Sequence, residues 1–266
     1  MSDIYKKPNK LMELTRSKGF TRYFGISMVA IFVILAFILF IWLAGAPKAG
    51  IPDEIYFLQL ETPQDSSPVV VFETNIGTMK AVLYPDEVPL YYAYFTGLVE
   101  SGYYDGTYVC AVVDGGAYAL GGTKSPDPNA TEVEGADTTP IEAEISNNLW
   151  PIKGSLVSYI GSKGAWPFDK NYAGSSIILV NDIDDAYMNE EALKRAYGDE
   201  LGGVFAEHGG IPNFSREYTV FGQVYDGLEV WDAILGATAL ETYQPADDII
   251  FEKVYMSTYG AEKPAE

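Results

Sequence analysis

In this chain of 266 residues the two side chains most often found at metal and nucleophilic centres, histidine and cysteine, occur once each. With no partner histidine or cysteine, His208 is a poor metal-ligand or catalytic candidate, so it reads as a surface residue at a helix end. Cys110 is the only cysteine, which excludes an intramolecular disulfide, and its apolar strand context fits a small packing residue. The run Asn181-Asp182-Ile183-Asp184-Asp185 is faintly calcium-like. The glycine and terminal glutamate of an EF-hand loop do not fall at the required offsets, so it reads as a solvated acidic loop. Asn129-Ala130-Thr131 matches the glycosylation acceptor pattern, which chance produces often. No metal and no cofactor are expected.

The elements that hold such a chain in place begin with its N-terminus. Between Arg22 and Lys48 there is no charged residue, and Ile26 to Ala46 is rich in Ile, Phe, Leu, Val and Ala. That length matches the roughly 20 residues needed to cross a bilayer. A cleaved signal peptide is the alternative, since Leu43-Ala44-Gly45-Ala46 resembles a cleavage site, but its apolar core is normally only about 7–15 residues. Six cations against two acids give residues 1–24 a charge of +4, so with −20 for the whole chain the remainder carries −24. Basic residues beside a helix end stay on the cytoplasmic side. The reading is therefore a cytoplasmic basic tail (1–24), a transmembrane signal-anchor helix (25–46), an extracytoplasmic linker (47–67) rich in proline, a folded domain (68–258) and a C-terminal tail (259–266). The protein is expected in the cell membrane, crossing it once, with its membrane partner reached through its own helix. An exported domain without disulfides relies on its core, which suits a bacterial protein. A domain this acidic is expected to bind no nucleic acid.

From Val69 the pattern is mostly β. Val69 to Thr74 and Met79 to Tyr84 predict a hairpin about Asn75-Ile76-Gly77-Thr78. Pro85-Asp86-Glu87 predicts the start of a helix whose apolar positions are Val88, Tyr91, Tyr92, Phe95, Leu98 and Val99. Further strands are expected at 108–113, 155–160, 176–180, 219–224 and 249–257, with helices over 188–207, broken around Gly198 and Gly202-Gly203, and over 228–235. Many strands with a few helices between them predict a mainly β fold, a closed antiparallel barrel capped by helices.

The order of these pieces resembles the cyclophilin-type peptidyl-prolyl cis-trans isomerases, in a bacterial membrane-anchored form. The resemblance rests on Phe72-Glu73-Thr74-Asn75-Ile76-Gly77-Thr78-Met79 followed by Leu83-Tyr84-Pro85-Asp86, and on Phe95 and Gly97-Leu98 running into Gly102-Tyr103-Tyr104-Asp105-Gly106-Thr107. It continues through Gly121-Gly122, Gly174-Ser175-Ser176, Tyr218-Thr219-Val220-Phe221-Gly222-Gln223-Val224 with Val230-Trp231-Asp232-Ala233-Ile234, and Pro245-Ala246-Asp247-Asp248 before the closing strand. Residues 181–211 exceed the compact family members and resemble a helical insertion of membrane-anchored relatives, ending in Gly209-Gly210-Ile211-Pro212.

The resemblance implies rotation about an X–Pro amide, whose barrier is about 18–20 kcal/mol because resonance keeps the bond planar. It also implies a groove in which a guanidinium donates to the prolyl nitrogen while an apolar wall grips the ring. Carried over residue by residue, the arginine position falls on Ala111, the pocket phenylalanine near Ala117 and the groove glutamine at Leu120, the last two subject to a shift of one. The second glutamine position is Ser176, the next pocket phenylalanine Ile178, the Trp-Leu pair Asn213-Phe214, and the histidine Tyr218. Scaffold residues match while the polar groove residues do not. Arg216, in the adjoining loop, is a candidate substitute donor. Three readings follow: a folding-assisting isomerase with weak or altered catalysis acting on proline-containing segments of exported proteins; a non-catalytic module binding such segments or a surface partner protein; and a purely structural surface domain.

Overall fold

The computed structural model describes residues 51–52, 54–113, 115–128, 141–163, 170–183 and 189–263, all within one compact unit, Gly50–Glu266. The expected transmembrane helix and basic tail, the acceptor pattern at 129–131 and part of the 181–185 acidic run lie outside the described residues. Among the described residues no helix is long and apolar enough to cross a membrane.

Ten strands form one antiparallel sheet: β1 (Pro68–Thr74), β2 (Gly77–Leu83), β3 (Thr107–Val109), β4 (Ala111–Val113), β5 (Tyr118–Gly121), β6 (Ile141–Glu142), β7 (Ser155–Lys163), β8 (Lys170–Val180), β9 (Val220–Asp226) and β10 (Ile249–Thr258). Their order is β3-β10-β1-β2-β9-β7-β8-β5-β4, with β6 on β8. A bridge between Tyr108 and Thr123 joins the two ends of that path into a nearly closed barrel. The β1–β2 hairpin turns on Asn75-Ile76, where the Thr74 hydroxyl accepts from the Ile76 N–H at 3.2 Å and donates to the Gly77 carbonyl at 2.7 Å. The stretch expected as one strand over 108–113 is two, parted at Cys110, whose N–H donates to the Leu120 carbonyl at 2.8 Å. Cys110 is buried, and burial pushes its thiol up from the usual range.

Helix α1 (Pro89–Glu100) lays Tyr91, Phe95 and Val99 into the barrel core, with Phe95 and Tyr91 each within 5 Å of the Phe221 ring, at 4.9 and 4.8 Å between centroids. It starts four residues later than Pro85-Asp86-Glu87 predicts. Pro89 takes the first helical position, where its missing N–H costs nothing. The free N–H of Tyr91 is met by the carboxylate of Glu144, far along the chain, at 2.7 Å. Glu87 instead accepts from Ser146 Oγ and Asn148 Nδ2. The insertion folds as α2 (Glu190–Tyr197) and α3 (Asp199–His208), parted at Gly198, whose φ of +87° suits glycine. The break expected at Gly202-Gly203 does not occur, because there the glycine lets α3 pass close to α2, where a Cβ on Gly202 would stand 2.5 Å from Lys194 Cα. Helix α4 (Leu228–Leu235) buries Val230, Trp231, Ile234 and Leu235.

Both flanks belong to the fold rather than hanging from it. Residues 55–67, expected as part of a linker, contain a 3₁₀ turn, Leu58–Leu60, that docks on the barrel. Gln59 is buried; its Oε1 accepts from Trp150 N at 2.7 Å, and its Nε2 lies 2.8 Å from Trp150 O, 2.8 Å from Ser155 Oγ and 3.0 Å from Gln223 Oε1. Ile51, Ile55 and Phe57 pack with Trp150 and Ile152 and with Leu193, Leu201 and Phe205 of the insertion in a second small core. The expected C-terminal tail opens with a helical turn, α5 (Tyr259–Glu262), whose Glu262 carboxylate pairs with Lys80 at 3.3 Å.

Tyr91 and Tyr104 are wholly buried, their hydroxyls donating to the Gly174 and Ser175 carbonyls at 3.0 and 2.7 Å. Burial is the main cause that holds both phenols well above their ordinary value of 10.0. The folded state keeps them neutral, while the unfolded chain ionises them near pH 10, so this stability is intact below about pH 10 and lost as pH rises above it. The urea midpoint is expected to fall steeply between about pH 9 and about pH 11, with the phenolate absorbance of this pair appearing only on unfolding. A midpoint that stays level across that range would contradict it.

Candidate functional site

Registers across five strands define two parallel rows. Val112, Ala119, Leu179 and Leu156 are paired in sequence from β4 to β7 and belong to the inner core. Their neighbours Ala111, Leu120, Ile178, Val157 and Val220 are paired in the same order, from β4 through β5, β8 and β7 to β9. Because side chains alternate across a strand, this second row faces outward. Four of its members, Leu120, Ile178, Val157 and Val220, join Leu149, Val180 and Ile211 in a separate outer cluster.

A short loop lays an aromatic wall on that row. Gly209 and Gly210 leave α3, Ile211 N–H donates to the Pro151 carbonyl at 2.9 Å, and Pro212–Phe214 makes a 3₁₀ turn. Phe214 stands edge-on to Tyr118, 5.5 Å between centroids, and lies 4.4 Å from the Tyr218 ring. The Tyr218 N–H closes the loop onto the Phe214 carbonyl at 3.3 Å. Gly210 makes this path possible: its φ is +124°, and a Cβ there would stand 2.4 Å from the Pro151 carbonyl. Gly210→Ala is expected to cost about 2–4 kcal/mol, read as a lower urea midpoint, because strain and clash act together; an unchanged midpoint would mean that the loop is free to move off Pro151.

Of the positions carried over, Leu120, Ile178, Phe214 and Tyr218 come together in this cluster, and Ala111 lies beside it in register with Leu120. Ile178 is only 2% exposed and Ala111 4%, whereas Leu120, Phe214 and Tyr218 are half-buried, so the accessible surface is the rim of rings rather than the floor. Ser176 is half-buried two residues before Ile178 on β8. Asn213 is exposed and accepts from the Tyr197 hydroxyl of the insertion at 3.1 Å. Ala117 is buried in the turn after β4, its carbonyl accepting from Asn181 N–H at 2.8 Å, and takes no part in the cluster. The ring on that strand is supplied by Tyr118, one residue on. The extra glycine at 115–116 hides the shift, but alternation backward from Leu120 points to it. Val157 and Val220 were also missed, being plain strand residues that only pairing brings to the face.

Arg216 does not reach this surface as a donor. It sits at φ 68°, with its guanidinium donating to Asn147 Oδ1 at 2.6 Å and to the Ser146 carbonyl at 3.3 Å. It pins the loop to the segment that also carries the partners of Glu87. His208 closes α3 with its imidazole 4.0 Å from the Glu207 carboxylate. Among the described residues no group of three histidine, cysteine or acidic side chains is placed to hold a metal. Burial, then the nearby Glu217 carboxylate and Tyr159, push the Tyr218 phenol up, so it keeps its proton.

Comparisons with known proteins bear on the family and the fold. The family described as cyclophilin type peptidyl-prolyl cis-trans isomerase/CLD matches residues 69–176. A Streptococcus pyogenes protein whose name joins a phosphatase to a peptidyl-prolyl cis-trans isomerase is 31% identical over 208 residues, which are 77% of this chain and 42% of that protein. The chain thus spans less than half the length of that relative. A Staphylococcus haemolyticus protein named for peptidyl-prolyl cis-trans isomerase is 24% identical over 193 residues, 72% of this chain and 92% of its own length. Among solved structures, a Cryptosporidium parvum cyclophilin type isomerase crystallised in the presence of the dipeptide Ala-Pro has the same fold, with a TM-score of 0.53 at 21% identity over 71% of this chain and 99% of that one.

Proposed function

This chain belongs to the cyclophilin-type peptidyl-prolyl cis-trans isomerase family, and we propose that it is a slow isomerase acting on proline-containing segments of exported proteins, held at the outer face of the cell membrane by its apolar N-terminal segment. The observation that carries the proposal is the register-defined outer row with Phe214, Tyr118 and Tyr218 walling Leu120 and Ile178. A planar amide carries the charge separation of resonance, and a twisted one largely loses it. Moving an X–Pro bond from water onto an apolar aromatic surface therefore favours the twisted state over the planar one, and each 1.4 kcal/mol gained is about tenfold in rate. The prolyl ring docks on the half-exposed rims of Leu120, Phe214 and Tyr218, since Ile178 is covered.

The location rests on the uncharged stretch between Arg22 and Lys48 and on the contrast of +4 before it with −24 after it. Clients with basic segments suit so acidic a domain. A second reading is a binding module without turnover, favoured by Ala111 at the arginine position and by the engagement of Arg216 with Asn147. Exchange spectroscopy on residues 48–266 with a short X–Pro peptide separates the two. Acceleration over the uncatalysed exchange supports the isomerase. Binding without acceleration transfers the conclusion to the module, and neither binding nor acceleration leaves a structural domain.

A further inference from the structure

The outer face has few donors: Tyr84, with its hydroxyl, packs against the same cluster, and most of the others beside the aromatic wall are engaged. Arg216 is held by Ser146 and Asn147, and Asn213 is taken by Tyr197. Tyr118 has a further interaction of its own. The Tyr218 ring is fixed against Phe214 at 4.4 Å, and among the described residues none is hydrogen-bonded to its hydroxyl. Its place is set twice. The N–H is tied to the Phe214 carbonyl, and the next residue but one, Val220, is paired with Val157 in the outer row. Ser176 and Ser215 are further hydroxyls close to the row, but the Ser215 hydroxyl is buried away from the rim, and a phenol is a stronger donor than the Ser176 hydroxyl.

We propose that the Tyr218 hydroxyl is the catalytic hydrogen-bond donor of this site, taking over from the absent guanidinium by donating to the prolyl nitrogen as its lone pair is released from resonance. The inference rests on the isomerase reading above. No proton is transferred and no bond is made or broken: the phenol keeps its hydrogen, and the contact is stronger in the twisted amide than in the planar one, whose nitrogen lone pair is delocalised. Its raised ionisation range keeps the donor intact through neutral pH.

The test compares Tyr218→Phe, which keeps the ring and removes the hydroxyl, with the wild-type domain, using residues 48–266 and one X–Pro peptide. Peptide affinity is expected to stay within about twofold while the exchange rate at saturation falls by about tenfold or more. A ring that served only as wall would leave both numbers unchanged in Tyr218→Phe, and that outcome overturns the assignment while the isomerase reading stands. A rate loss in Ser176→Ala with none in Tyr218→Phe also overturns it, moving the donor to β8. If the wild-type domain binds peptide but accelerates nothing, the isomerase reading falls and this assignment with it. A thermal melt of each variant shows that the fold is kept, and Tyr218→Leu, which removes the ring, is expected to weaken peptide binding as well.

Discussion

Ala111→Arg is expected to raise kcat/KM for X–Pro exchange by about 10²–10³, the usual worth of one donor aimed at charge that develops in a transition state. Position 111 is suited to the change. Val112 packs in the inner core, so Ala111 faces out, opposite Leu120 and at the edge of the row that ends at Val220. The Ala111 side chain is covered, which leaves the guanidinium no room to lie flat. An arginine there would run its methylene stem over Leu120 and carry the charge to the rim, as long basic side chains do beside apolar surface. β4 ends the strand order, so the backbone around residue 111 has neighbours on fewer sides than a central strand. Ala111→Met carries a similar stem without the charge. An equal gain in both variants would show that bulk beside Leu120, and not a donor, is what the site lacks. No gain in either, with peptide still bound, would mean that the face never brings an X–Pro bond to position 111.

Gln59→Ala is expected to lower the melting temperature by about 2–12 °C. One carboxamide meets both backbone groups of Trp150 and reaches Ser155 and Gln223. Truncating it strands the buried Trp150 N–H, while the Trp150 carbonyl keeps the Ile152 N–H at 2.8 Å and the Ser155 hydroxyl at 3.1 Å. One unmet group costs about 1–3 kcal/mol, and at this size each kcal/mol shifts the midpoint by about 2–4 °C. A melt unchanged from wild type would mean that residues 55–61 contribute nothing to the folded unit. The insertion should be affected too, because Trp150 and Ile152 pack with Leu193, Leu201 and Phe205. Hydrogen exchange in α2 and α3 is expected to quicken in the same variant.

These two residues show where local sequence carries information and where it does not. Helix 228–235 is legible end to end because Gly227 and Gly236 bracket Val230, Trp231, Ile234 and Leu235 at helical spacing. The β1–β2 hairpin is legible because valine-rich flanks meet a two-residue turn. The start of α1 is not, because Glu144 serves its first turn from another part of the chain. Nor is the docking of residues 55–61: four prolines and a polar cluster between residues 47 and 68 read as spacer by composition, while the partners of Gln59 stand 91 and more residues away. At the site, Leu120, Ile178, Phe214 and Tyr218 are reachable only through the family resemblance, which sets each a fixed step from a glycine pair or a strand. Val157, Val220 and the ring of Tyr118 needed the strand pairing itself, which fixes faces that no short window reveals.

The docked strap also decides where this chain can be severed without harm. A cut on the N-terminal side of Ile51 would leave Ile51, Phe57 and Gln59 seated, with the second small core intact. One beyond Leu60 would take Gln59 away, bare Trp150 and loosen the contacts under the insertion. The residues from Ile51 to Leu60 are thus a boundary past which cutting and unfolding become the same event.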